Sequence, residues 1–134
     1  MITILPAAEP DRSRRLDAMG LGSLEGAEIL LMKERDAILG SAAVAIENSE
    51  LILLRLSVEG ALLTGLSPEQ RFIADSLLRA AASYGANQGA WRLVSREEEA
   101  EAFLRAEGFQ KEPSGRMVLP TAAIVKISKD SQGF

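Results

Sequence analysis

The chain has 134 residues, the length of one domain, and its 47% apolar and 25% charged residues are typical of a globular protein. It has no histidine and no cysteine, which excludes a Ser-His-Asp triad, a cysteine nucleophile, a disulfide and a His- or Cys-ligated metal. The net charge is −4, and the single basic cluster (Arg12, Arg14, Arg15) is interpreted as a solvated helix face, so no nucleic-acid partner is expected.

Membranes and metals are not expected partners either. No run of about 18 apolar residues is present, and the amino terminus lacks the pattern of a signal peptide. No Asp-rich loop of the calcium-binding type occurs. We therefore expect a cytoplasmic protein without a metal site.

The first half of the chain predicts one helix and four strands. Residues 2–5 form a short strand, and a surface helix over 10–19 begins at Pro10 and ends before Gly20. The next three strands are joined by short turns, so they pair as antiparallel hairpins, and they cover residues 27–33, 37–46 and 51–58. The last of these is apolar on both faces, which favours a central strand.

The second half predicts two helices and a final hairpin. A helix over 68–84 begins with a capping box of Ser67 and Gln70, and Gly85 ends it. A strand over 90–94 leads to a helix over 96–107, with Ser95 and Glu98 as a second capping box and Gly108 after its end. The hairpin consists of 109–111 and 116–119, and 121–128 is either a strand or a short helix.

This order predicts one α/β (α+β) domain over residues 1–134. The connection from strand 51–58 through the long helix to strand 90–94 is a crossover, so these two strands should be parallel neighbours. The expected sheet is mixed and mostly antiparallel, has six to seven strands, and carries helices on both faces.

Two local segments give a resemblance to the GNAT-type N-acetyltransferase superfamily, strongest over residues 27–119. Residues 97–109 resemble the family pattern N-x-x-A-x-x-F-Y-x-x-x-G-F, because Ala100, Phe103, Gly108 and Phe109 match at the right spacing. Glu97 stands where the family usually has asparagine, and Leu104 stands where it usually has a tyrosine that protonates the leaving thiolate.

The resemblance implies acetyl-CoA or another acyl-CoA as cofactor, held where strand 51–58 leads into the long helix. It places the pantetheine arm at Leu56 and Val58 and the pyrophosphate on the five residues Gln70, Arg71, Phe72, Ile73 and Ala74. The family's Q/R-x-x-G-x-G/A motif matches poorly here: Glu69 replaces the first residue, Phe72 replaces a glycine, and Ala74 fits. A second register starts at Arg71 and keeps an arginine that could bind phosphate.

The resemblance also implies a catalytic base and an acceptor. Glu59 follows the central strand, where family members sometimes carry the base, while an ordinary loop carboxylate is the competing interpretation. We expect an N-acyltransferase acting on a small-molecule or peptide amine. The alternative is a catalytically inactive GNAT-fold binding or assembly module that has lost CoA binding, with a homodimer as one form; the capping box at Ser67 supports that alternative.

Overall fold

The computed structural model describes residues 1–22 and 24–124. The strands are β1 (Ile2–Pro6), β2 (Glu28–Glu34), β3 (Ala37–Glu47), β4 (Glu50–Val58), β5 (Arg92–Ser95), β6 (Gln110–Lys111) and β7 (Met117–Pro120). The helices are α1 (Asp11–Ala18), α2 (Pro68–Asn87) and α3 (Glu101–Ala106), with a 3₁₀ turn at Glu98–Ala100 directly before α3.

The strands form one seven-stranded sheet in the order β1-β2-β3-β4-β5-β7-β6. Every adjacent pair is antiparallel except β4 and β5, which are parallel and flank the α2 crossover. The mixed sheet and its parallel pair confirm the predicted fold class. β4 lies near the middle of the sheet, as its apolar faces predict.

Helices cover both faces of the sheet, which gives two apolar cores. The larger core lies under α2 and α3 and includes Leu77, Leu78, Phe103 and Leu104. The smaller core lies on the other face, where Leu16 of α1 packs against β2 and β3. α1 has eight residues, about 12 Å of helix, so it covers only part of that face.

The predicted end of α2 at Gly85 is wrong, because the helix continues to Asn87. Gly85 is needed for close packing: a Cβ placed on it would lie 3.0 Å from the side chain of the buried Leu51. The left-handed conformation expected after a helix is found at Gly89, with φ of +85°. A glycine near a helix end can either terminate the helix or permit close packing. Gly85 does the second, because α2 packs against β4 at this position.

The second predicted capping box is also wrong. Ser95 is the buried last residue of β5, and its Oγ accepts the Glu97 amide at 3.2 Å rather than the Glu98 amide. The predicted helix over 96–107 is shorter, because its first turn is the 3₁₀ turn and α3 begins only at Glu101. Residues 121–124 form a helical turn, and the remainder of the predicted segment 121–128 lies outside the described residues.

Gly40 fixes the distance between α2 and the sheet. A Cβ on Gly40 would lie 2.7 Å from the Ser57 carbonyl oxygen and within about 3 Å of Leu77 and Ile73 of α2. Backbone on one side and packed helix side chains on the other leave no room for a methyl group. Gly40 therefore sets the height of α2 beside the end of β4.

We predict that Gly40→Ala lowers the free energy of unfolding by about 1–3 kcal/mol, because overpacking forces the helix or β4 to move. Gly65→Ala is the matched control, since a Cβ on Gly65 has no atom within 4 Å and should change stability by less than about 0.5 kcal/mol. Urea unfolding measures both. Equal stabilities for the two variants would contradict the close approach at Gly40.

Candidate functional site

The candidate site is a gap between β4 and β5. The two strands are paired from Glu50↔Arg92 to Leu53↔Ser95, where β5 ends and β4 continues to Val58. Beyond this point β4 has lost its parallel neighbour, so its backbone groups on that side need other partners. Side chains and ligands commonly meet at such carboxyl ends in open α/β sheets.

A β-bulge in β4 determines which side chains face this gap. Ala43 pairs with Arg55 and Val44 pairs with Leu53, so Leu54 is an extra residue without a partner in β3. The bulge reverses the alternation of side chains, and Leu56 and Val58 therefore share the α2 face with Leu51 and Leu53. Leu56 and Val58 are each 3% exposed, so they offer the gap their backbone and not their side chains.

The Leu56 amide in this gap already has a partner. It donates to Oε1 of Glu97 at 3.1 Å. Burial raises the pKa of Glu97 above its ordinary value, while the Leu56 amide and the nearby Arg55 charge oppose that shift. A half-buried carboxylate from the β5–α3 connection thus satisfies a donor on β4.

The start of α2 is satisfied internally as well. The Gln70 amide donates to Ser67 Oγ at 3.2 Å, and the Ser67 amide donates to Gln70 Oε1 at 2.9 Å, which confirms the predicted capping box. Pro68 has no amide hydrogen. Among the described residues, the Glu69 amide is the one donor of the first turn without a partner, and it belongs to an acidic residue.

The other predicted cofactor residues lie along α2. Ala74 is buried, Ile73 is half-buried against the core, and Phe72 is 59% exposed. The Arg71 guanidinium lies 5.3 Å from the centre of the Phe103 ring and 3.8 Å from the Glu107 carboxylate. The arginine that could have bound phosphate is thus already engaged with α3.

The predicted base Glu59 is paired with Arg15 of α1. Arg15 also donates from Nε to Ser41 Oγ at 3.0 Å, and Arg12 donates to the Ala27 carbonyl at 2.8 Å. The interpretation of this basic cluster as a solvated face is therefore wrong for Arg12 and Arg15, which tie α1 to the sheet. Arg14 is exposed as expected.

Sequence reasoning missed the two acidic residues that matter most here. Glu97 had a signal, because it replaces an asparagine in the resembling motif, but its contact with a residue 41 positions away was invisible. Glu107 had none. Among residues 1–22 and 24–124, no group of three or more acidic side chains could hold a metal ion, and no helix is long and apolar enough to cross a membrane.

The fold is that of the GNAT acetyltransferases. A structure described as a putative GNAT-family acetyltransferase from Desulfovibrio desulfuricans has a TM-score of 0.66 at 14% identity, covering 91% of this chain and 100% of that chain. An IAA acetyltransferase from Bacillus cereus has a TM-score of 0.68 at 12% identity, covering 90% and 99%. A Bacillus subtilis acetyltransferase solved with CoA has a TM-score of 0.60 at 13% identity, covering 84% and 78%.

Sequence comparison adds no relative: no protein-family model matches this chain, and no curated protein matches it. At these identities the structural likeness shows the fold alone. The fold implies acyl-CoA, but the residues present do not fit it. A pyrophosphate would meet one unpaired amide beside the Glu69 carboxylate, and like charges a few ångströms apart cost on the order of 1 kcal/mol or more.

Where α2 meets the end of α3, two carboxyl groups approach each other. Burial and the neighbouring Asp75 carboxylate raise the pKa of Glu107 to about 7, while Arg71 and Arg79 oppose that shift. The unfolded chain releases this proton near pH 4.5, so the folded state binds more protons between these values. The contribution of Glu107 to stability is therefore present at acidic pH and is lost as the pH rises through 7.

We predict that Glu107→Gln, which cannot ionise, gains stability relative to the parent chain between pH 5 and pH 8. The expected gain is about 1 kcal/mol, after discounting the pKa shift for solvent screening. Urea unfolding at the two pH values measures it. Glu101→Gln is the control. The pairing with Lys111 lowers the pKa of Glu101, so this carboxyl group is ionised in both the folded and the unfolded protein over this pH range. Parallel pH dependences of the parent chain and Glu107→Gln would contradict the assignment.

Proposed function

We propose that this chain is a GNAT-fold binding and assembly module that does not use acyl-CoA. The observation that carries the proposal is the self-capped start of α2. Ser67, Pro68 and Gln70 complete the helix end that an anion would otherwise complete. A cofactor would have to break two hydrogen bonds there before making its own.

Three further contacts support the proposal. Glu97 holds the Leu56 amide, Arg15 holds Glu59, and Glu107 with Phe103 holds Arg71. Each engages a group that acyl transfer would use: a backbone donor, a base or a phosphate-binding cation. Leu104 also supports the proposal. It is fully buried and replaces the tyrosine that usually protonates the leaving thiolate in the family.

The second candidate is an N-acyltransferase that moves an acyl group from acyl-CoA to an amine. The gap between β4 and β5, with its bulge at Leu54, favours it, because an extended ligand could pair with the edge of β4 that β5 no longer covers. In that case Glu59 or Glu97 would have to leave its present partner to accept a proton from the ammonium group.

We predict that isothermal titration of the full chain with acetyl-CoA shows no binding up to millimolar concentration, because the helix end offers too few donors. An acetyltransferase that binds CoA serves as the positive control for the titrant. A dissociation constant in the micromolar range would refute the module and support the acyltransferase.

For the assembly role, the proposed partner is a second copy of this chain. β1 is an edge strand of the sheet, and its side chains include Ile2 and Leu5, which are 45% and 62% exposed. An edge strand has backbone donors and acceptors on its outer side, and exposed apolar side chains without a charge make it suited to pairing. Antiparallel β1–β1 pairing would give a twofold dimer with one continuous sheet.

We predict that light scattering after gel filtration gives the mass of a dimer, and that a variant with Ile2→Lys and Leu5→Lys is a monomer, because charges on an edge strand oppose pairing. Leu62→Lys, which alters an exposed leucine in the loop between β4 and α2, is the control and should stay dimeric. A monomeric parent chain would refute this interface.

A further inference from the structure

The side chain of Glu97 reaches the gap because of its backbone conformation. The end of β5 on one side and the 3₁₀ turn on the other determine that conformation. Ser95 Oγ accepts the Glu97 amide and turns the chain immediately after β5. Glu97 itself keeps an extended conformation, with φ of −74° and ψ of 106°, and lies just before the 3₁₀ turn without capping it by its side chain. The side chain is therefore available, and it extends to the Leu56 amide on β4.

Glu97 is a lining residue of two clefts. One has a volume of about 230 Å³ and extends towards Lys111 and Met117 of the final hairpin. The other has a volume of about 320 Å³ and extends towards Arg55 of β4. Glu97 lines both clefts, as do its neighbours Arg96 and Glu98.

A backbone amide on the side of a strand that has lost its neighbouring strand must find another acceptor when it is shielded from water. Glu97 supplies the acceptor from within the chain, and the resulting bond to a carboxylate is charge-assisted. A ligand oxygen would therefore compete with a carboxylate that is tethered at the site, whose effective concentration is high.

We propose that Glu97 is an internal ligand of the gap: its carboxylate holds the Leu56 amide and keeps the gap closed to any ligand whose oxygen needs that donor. This inference rests on the proposed function, in which the acyl-CoA site is closed, and it names the residue that closes the part of the site next to β4. Removing the side chain beyond Cβ leaves the Leu56 amide without its carboxylate partner.

The test compares Glu97→Ala with the parent chain for binding of S-acetylpantetheine, a neutral amide chain that lacks the pyrophosphate and therefore does not depend on the start of α2. Titration followed by amide NMR should show tighter binding by Glu97→Ala, by about tenfold or more, with the Leu56 amide among the shifted signals. Glu98→Ala removes the same charge from the adjacent exposed residue and should behave like the parent chain.

Glu97→Gln separates occupancy from charge. Its amide oxygen still accepts the Leu56 amide, so it should stay closed to S-acetylpantetheine. Two results would overturn the proposal. One is binding of S-acetylpantetheine by Glu97→Gln as tight as that by Glu97→Ala, and the other is equal affinity of the parent chain and a folded Glu97→Ala variant.

A second measurement tests the bond between Glu97 and Leu56 directly and does not depend on ligand binding. In the parent chain the chemical shift of the Leu56 amide proton should follow the titration of one carboxyl group, and Glu97→Gln should abolish that dependence. A Leu56 amide that ignores pH in the parent chain would overturn the proposal. If acetyl-CoA fails to bind the parent chain while Glu97→Ala also fails to bind S-acetylpantetheine, the inference falls and the proposed function stands.

Discussion

The separation of β4 from β5 after Leu53 and Ser95 is the constraint on which the candidate site depends. Two parallel strands joined by a crossover helix lie side by side only as far as the shorter one extends. Beyond that point the longer strand presents backbone groups that must find a partner, because an unpaired buried amide is costly. In this chain the partner is Glu97, which the end of β5 and the 3₁₀ turn place at the right distance.

The same physical rule explains the other closed positions. Helix α2 begins with donors that have no helical acceptor, and Ser67 and Gln70 satisfy two of them reciprocally. Arg71, although partly exposed, lies against the face of Phe103 and near the carboxylate of Glu107. Groups that a ligand could bind are bound instead by neighbouring residues of the same chain. The GNAT fold therefore does not by itself imply acyl transfer.

Glycine has a related role in bringing the elements close enough for these contacts. Gly40 lets α2 settle against β3 and β4, and Gly85 lets the last turns of the same helix pack on Leu51. At this height Ile73 and Leu77 of α2 lie against Gly40 beside the Ser57 carbonyl, and Arg71 and Asp75 approach Glu107 at the end of α3. The distance between α2 and the sheet thus links the packing of the core to the pairing of Arg71 and Asp75 with α3.

The sequence by itself determined the order of the elements, the parallel pair and the capped start of α2, because these depend on local periodicity and on residues close in the chain. Tertiary structure alone decided the rest. Gly85 packs rather than ends a helix, Ser95 ends a strand rather than capping a helix, and Arg15 pairs with a residue 44 positions away. The contact between Glu97 and Leu56 belongs to the same group, because it exists only where two distant strands part, and no local pattern records where that happens.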